Sequence, residues 1–346
     1  MRTDSAKPAD TAELVELLTD QAKGFHELDD RLAAPLPPEQ YARLVGALQG
    51  QDVVAQLVTR DDHGTVVGFG EARVQALPEG HGWLGFAPRV GGVWNVLAIS
   101  PPGNSDRRRT LVALVKAARD LWKVKGLTGE YILWPSMDRE LMPAMAELGL
   151  IASGHYAYAR PGVSFPPGSG QGLCRPARYE DYPTVWRLRS EQSDYELQHS
   201  RFQVQGKLPD VEPGFRRQFE VALEGGSNKD TRPQISVMEC EGSVIGFVAS
   251  EVQRIAPGNP SHLPEGRYGY IDNACVISSS RGRGLGRDLL EYARGRLTEQ
   301  NLKGLVLWYF ADNPLASHFW PRLGFRNLIT RFERRYDPLP KGHTAT

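Results

Sequence analysis

The sequence predicts an α/β (α+β) chain built twice over, as two tandem domains that each carry a mixed sheet with helices on its faces. Three observations predict it. The chain is longer than one hydrophobic core organises, its halves match each other at a nearly constant offset, and the same alternation of strand and helix patterns runs through both.

At 346 residues the chain exceeds the roughly 250 to 300 residues at which single cores stop growing. Its composition, 40% hydrophobic and 24% charged, is that of a globular protein able to bury a core in each half. The stretch 161–172, Pro-Gly-Val-Ser-Phe-Pro-Pro-Gly-Ser-Gly-Gln-Gly, is rich in residues that break helices and fit no sheet centre. It is expected to be a linker between a first domain, 1–160, and a second, 173–338, with 339–346 a frayed tail.

The self-match is carried by three segments in one order. Gly64-Thr-Val-Val-Gly-Phe-Gly70 matches Gly242-Ser-Val-Ile-Gly-Phe-Val248 at an offset of 178, Ile132-Leu-Trp134 matches Val306-Leu-Trp308 at 174, and Glu147-Leu-Gly-Leu150 matches Arg322-Leu-Gly-Phe325 at 175. The first pair, a β-branched run after a small-residue turn, reads as a hairpin strand. Ahead of each Leu-Trp strand lies a helix, with Leu111, Leu114, Val115, Ala118, Leu121 and Trp122 at helical spacing in one half and Leu285, Leu289, Ala293 and Leu297 stepping by four in the other. Each half therefore reads strand, helix, strand, helix, final strand, with right-handed connections expected.

Lys plus Arg equals Asp plus Glu at 41 each, so no global field favours nucleic acid or an anionic membrane as partner. Cys174, Cys240 and Cys275 are odd in number and far apart, which fits neither a disulfide framework nor a metal cluster; no metal is expected. The first 18 residues contain no signal-peptide core and no run reaches membrane-spanning length. A soluble, cytoplasmic protein is the expectation.

The chemistry concentrates after the strand-like stretch Tyr268 to Ile277. There Ser278-Ser-Ser-Arg-Gly-Arg-Gly-Leu-Gly-Arg287 runs straight into the amphipathic helix. Gly282, Gly284 and Gly286 let backbone approach an anion, the helix start supplies unpaired N–H groups, and Arg281, Arg283 and Arg287 add cations suited to phosphate. No Gly-Lys-Ser/Thr ending marks a triphosphate loop, and the first βα unit of a dinucleotide fold is absent. An exposed Arg/Gly-rich turn is the plainer alternative.

A second element follows, with 26 residues between Gly286 and Asn313: Asn313-Pro-Leu-Ala316, then Phe319-Trp-Pro-Arg-Leu-Gly-Phe325. Together the two resemble the signature of the GCN5-related N-acetyltransferase (GNAT) family, Arg/Gln-x-x-Gly-x-Gly/Ala followed by Asn-x-x-Ala…Leu-Gly-Phe. The resemblance covers roughly residues 173 to 336. It implies two GNAT-like domains, each a mixed, mostly antiparallel twisted sheet flanked by helices, and an enzyme that moves an acetyl or similar short acyl group from acyl-CoA to a primary amine. By resemblance, Arg281 to Arg287, Leu285 included, hold the coenzyme pyrophosphate. The pantetheine arm pairs with a splayed strand at Ala274 to Ile277, a backbone N–H of Val276 or Ile277 serves the thioester oxygen, and Asn313 lies beside the arm or the acyl group.

An acceptor amine with a pKa near about 10.4 must lose a proton before attack. Asp272, beside Asn273, is the candidate base; a loop tie is its mundane alternative. Where the family usually has Tyr as general acid this chain has Trp320, whose indole offers no usable proton. Either the thiolate leaves unassisted or another group serves, with His318, Tyr309 and Tyr270 close in sequence. Cys275 is expected to be a strand-core residue.

The first half keeps the outline but reads Ser100-Pro-Pro-Gly-Asn-Ser-Asp-Arg-Arg-Arg-Thr110 at the loop, with Gly103 in place of three glycines. It is expected to be non-catalytic, as in tandem family members with one degenerate copy such as the mycothiol synthase-like proteins, although Arg107 to Arg109 could hold a phosphate by side chains. The acceptor segment, Glu191 to Phe215, offers Asp194 and Glu196 for a cationic amine or as solvated helix charges. A small-molecule amine acceptor is expected. An acyl-CoA-sensing protein and a protein-lysine acetyltransferase are the alternatives, and monomer and homodimer both stay open.

Overall fold

The computed structural model describes residues 1–49, 55–78, 87–123, 126–168, 170–202, 211–224, 232–256, 262–298 and 301–336. The tail 339–346, residue 169 of the 161–172 stretch and residues 203–210 of the acceptor segment lie outside them. The first half runs β1 (Arg2–Ser5), α1 (Thr11–Leu28), α2 (Pro38–Gln49), β2 (Ala55–Arg60), β3 (Val66–Ala76), β4 (Val90–Ile99), α3 (Arg107–Trp122), β5 (Gly129–Pro135), α4 (Met142–Glu147) and β6 (Ile151–Ala159). The second repeats that order as β7 (Leu173–Pro176), α5 (Tyr182–His199), α6 (Val211–Leu223), β8 (Gln234–Cys240), β9 (Ser243–Ile255), β10 (Gly266–Val276), α7 (Leu285–Thr298), β11 (Leu305–Phe310), α8 (Pro314–Arg322) and β12 (Arg326–Arg335).

Local chemistry explains the elements. The β8–β9 hairpin turns on Glu241 and Gly242, both at positive φ (52° and 75°), the geometry a two-residue loop needs to match the strand twist. In the first half Asp61 accepts hydrogen bonds from the N–H groups of His63 and Thr65 to close the matching turn. Leu111, Leu114, Val115, Ala118 and Trp122 are buried on α3, and Leu285, Leu289, Ala293 and Leu297 on α7, as their spacing predicts; Leu121 is exposed.

The strands form a mixed, mostly antiparallel sheet flanked by helices. Among the described residues it is one sheet of twelve strands in the order β1-β2-β3-β4-β5-β12-β6-β11-β10-β9-β8-β7. Among the described residues, β4 with β5 and β10 with β11 are the pairs that run parallel. The final strands are exchanged: β12 lies between β5 and β6, and β6 between β12 and β11. One core cluster accordingly joins Leu111, Leu114 and Trp134 of the first half to Tyr268, Val306 and Phe332 of the second. Within the 161–172 stretch Phe165 is buried against Phe325 (ring centroids 6.4 Å apart), while most of its described neighbours are exposed.

At the exchange, His155 of β6 bonds through Nδ1 to the Thr330 hydroxyl of β12 (3.0 Å). Burial lowers its pKa from 6.5 to about 4. The folded state thus favours neutral imidazole, so stability is fully present above pH 6.5 and is lost as pH falls from there toward 4. The full swing is about 3 kcal/mol by linkage. Thermal melts across that window should show a shallower acid slope for His155→Gln than for the wild type.

Both halves carry a β-bulge at one position. The register shifts between Glu71 and Ala72 opposite Asn95, and between Ile271 and Asn273 around Asp272. Such an extra residue bends the strand and re-aims its side chain, and here it coincides with the point where the parallel neighbours part.

Candidate active site

The β10–β11 ladder holds only from Gly269↔Leu305 to Ile271↔Leu307. Beyond it the strands splay, opening a cleft of about 1590 Å³ lined by β10 from Tyr270 to Val276, the α7 start and the α8 start. Ile277 donates its N–H to the Ile245 carbonyl of β9 (2.9 Å). In an antiparallel ladder such bonds alternate, so Ala274 and Val276 direct their N–H groups to the opposite edge, toward the splay. The two oxyanion-donor candidates thus differ. Val276 is available, and Ile277 is not, because its N–H belongs to the sheet.

The glycine-rich turn sits at the mouth of the splay. Gly282 and Gly284 take φ of 79° and 84°, a region side-chain-bearing residues rarely adopt, and Gly286 approaches Phe319, whose ring a Cβ would meet at 3.4 Å. Arg281 donates Nε–H to the Val276 carbonyl (2.9 Å) and lies over the Tyr195 ring (5.7 Å). Arg287 reaches the Pro167 carbonyl (3.3 Å), and Arg283 donates to Gln171 Oε1 (2.8 Å). Gly282, Gly284, Leu285, Gly286, Arg281 and Arg287 line the cleft, whereas exposed Arg283 is turned to Gln171.

Asp272, on the bulge, lines the cleft and accepts from Gln218 Nε2 (3.2 Å) and Asn273 Nδ2 (2.8 Å). Two groups that sequence reasoning did not weigh together stand near it. Glu251 of β9 has its pKa raised by burial and then by the Asp272 charge. Tyr270 is held well above the usual phenol range by burial first and by Asp272 next, so it stays protonated.

Asn313 caps α8, its Oδ1 accepting from the Ala316 N–H (3.1 Å), which leaves its amide N–H groups as what it can offer a ligand. His318 is exposed and donates from Nδ1 to the Pro314 carbonyl (2.7 Å), which leaves Nε2 as the ring nitrogen that would give up a proton from the imidazolium form. Trp320 is buried against Phe319 and Phe325. Tyr309, the other acid candidate, gives its hydroxyl to Asn327 Oδ1 (2.8 Å). Cys275 is buried, and burial pushes its thiol up to about 11, consistent with a strand-core residue.

Of the two acceptor-side carboxylates, Glu196 lines the cleft and Asp194 does not; Asp194 is exposed one face round α5, as a solvated helix charge. The opposite wall was not legible. Tyr131, Leu133 and Tyr156, from β5 and β6 of the first half, join Trp308 and Arg331 there because the exchanged strands carry them across. Arg331 lies over both Tyr131 (5.4 Å) and Trp308 (5.3 Å).

The first half treats the same positions differently. Its β4–β5 ladder also stops after three pairs, but Trp134, the match of Trp308, is buried edge-on against Phe25 (5.2 Å). Arg107 is fully buried, donating to Asp138 Oδ1 (3.0 Å), Glu140 Oε2 (2.6 Å) and the Ser100 carbonyl (2.7 Å). The same Glu140 oxygen accepts from the Gly103 N–H (3.3 Å). A built-in carboxylate thus stands where a phosphate would have to bind. Arg108 is paired with Glu147 and Arg109 with Asp106, so the phosphate capture by side chains considered for Arg107 to Arg109 finds no unpaired guanidinium.

Residues 192–325 match the acetyltransferase (GNAT) family. The crystal structure of a GCN5-related N-acetyltransferase from Sphaerobacter thermophilus superposes with a TM-score of 0.50 at 12% identity, covering 97% of this chain and 96% of that one. The fold is that of the GNAT superfamily. A curated relative, the mycothiol acetyltransferase of Cellulomonas flavigena, is 30% identical over 109 residues, 31% of this chain. The match spans 30% of that relative's length. Within the GNAT fold, the splayed strands and the glycine-rich turn lie in the half that the family match covers.

Proposed function

We propose that the chain transfers an acetyl or similar short acyl group from acyl-CoA to the primary amine of a small molecule, using one site in its second half. The observation that carries this reading is the glycine-rich turn at the mouth of the β10–β11 splay, where positive-φ glycines, a helix start and arginines converge beside an unpaired strand edge. The turn from Arg281 to Arg287 would hold the pyrophosphate. The free edge of Ala274 and Val276 would take the amide-bearing pantetheine arm as an added strand, and Asn313 would meet it with its amide N–H groups.

In this reading Val276 N–H stabilises the charge that develops on the thioester oxygen. Asp272 accepts the proton of the acceptor ammonium, directly or through water, and the neutral amine attacks the carbonyl carbon. The C–S bond breaks, the nitrogen gives its second proton to solvent, and the thiolate leaves without a dedicated acid, as thiols with pKa values near about 8.5 can do. Tyr270, protonated and beside Asp272, and His318, exposed where α8 lines the cleft, are the groups to which a donor role would fall. Three free cysteines fit a reducing compartment such as the cytoplasm.

Thiol release on mixing with acetyl-CoA and a panel of amines tests the proposal, and CoA binding without turnover on any amine would refute it. That last outcome would favour the acyl-CoA-sensing alternative, for which Trp320, buried without a transferable proton, is the supporting observation. Gly284→Val forces a β-branched residue into φ of 84° and should weaken acetyl-CoA binding by about tenfold or more, read by calorimetry.

A further inference from the structure

Among the described residues, one buried cation in the cleft has no carboxylate partner. Arg189, on α5, is 9% exposed and lines the cleft. Its Nη1 donates to Ser193 Oγ one turn on (3.1 Å), and its guanidinium stands 5.9 Å from the Phe215 ring centroid. Nε is buried without a partner. Among the described residues no carboxylate pairs with it, whereas the other buried arginines, Arg107 and Arg331, each have one. Withdrawing a guanidinium from water without a counter-charge is costly, and leaving Nε and Nη2 unpaired on one edge of a planar fork matches the geometry that a carboxylate satisfies with two parallel bonds.

Its place relative to the bulge matters as much. Phe215, which Arg189 faces, and Gln218, which donates to Asp272, are three residues apart on α6 and so neighbours on one helix face, with Cβ atoms about 5–6 Å apart. The unpaired cation and the candidate base therefore flank one end of the cleft, joined by a single turn of α6. Resting on the acyl-transfer reading above, we infer that the acceptor is an amino carboxylate: Arg189 binds its carboxylate while its amine stands at Asp272. The aromatic wall of Tyr131, Tyr156, Tyr270 and Trp308 leaves room for an apolar substituent.

The test uses the full chain with acetyl-CoA and three matched amines, phenylalanine, phenylalaninamide and phenethylamine, followed by thiol release; binding of each is measured by calorimetry in the presence of CoA. The amide controls for amine and shape, and its less basic amine biases the comparison against the inference. Phenylalanine is expected to exceed both others by on the order of 10²-fold in kcat/KM. Arg189→Met should abolish that preference by raising KM for the carboxylate and leave KM for acetyl-CoA unchanged, and Arg189→Lys should restore part of it. Because the methionine variant removes an unpaired charge, its melting temperature should not fall. Equal use of all three amines, an intact preference in Arg189→Met, or no binding of phenylalanine would overturn the inference. Binding of phenylalanine through Arg189 without thiol release would uphold the carboxylate site and sink acyl transfer.

Discussion

Asp272→Asn is expected to lower kcat at neutral pH by on the order of 10²-fold or more, the usual contribution of a positioned base, with acetyl-CoA affinity and melting temperature close to wild type. The substitution keeps an oxygen for Gln218 and Asn273 to bond and removes only the proton acceptor. The defect should shrink as pH rises, since more of the acceptor amine is then neutral before it binds, so the log-rate profile of the variant should climb through the range in which the wild type levels off. A variant with wild-type kcat throughout would move the base elsewhere, with Glu251, whose pKa burial raises, the next group to replace.

Arg107→Met should destabilise the folded chain by about 3–5 kcal/mol, because it strands Asp138, 2% exposed, and removes the partner of Glu140. Replacing Arg109, exposed and paired only with Asp106, should change stability little. If Arg107 were instead a phosphate ligand, its loss would leave stability nearly intact and lower coenzyme affinity. Chemical denaturation with calorimetric titration of CoA separates the two, and an affinity loss without a stability loss would contradict the structural role assigned to Arg107. Since one core joins the halves, the lost stability should appear in a single unfolding transition.

The repeat was legible because it is local. Apolar spacing on α3 and α7 and the small-residue turn before each hairpin strand are set by neighbours in sequence, and the structure repeats one element order twice. The glycine-rich turn was legible for the same reason, as glycines at positive φ before a helix have few other uses. The exchange of β6 and β12 was not. A strand with apolar residues on alternate positions has the same pattern whichever strand it pairs with, so β6 beside β11 cannot be told from β6 beside β5. Tyr131 and Tyr156 were consequently missed as cleft residues. Arg189 was missed because a lone arginine between Leu188 and Ser190 in a helix reads as a surface charge, and only its burial without a carboxylate sets it apart. Val276 and Ile277 could not be told apart in the sequence, because ladder parity is reset by the bulge at Asp272.

The proposed activity requires one coenzyme site, in the second half. A crystal of the full chain soaked in acetyl-CoA tests it most directly. One molecule per chain is predicted, with its pyrophosphate on the turn from Arg281 to Arg287 and its pantetheine arm along Ala274 and Val276. Coenzyme density against Gly103 and Arg107 in the first half, with Glu140 displaced, would contradict it.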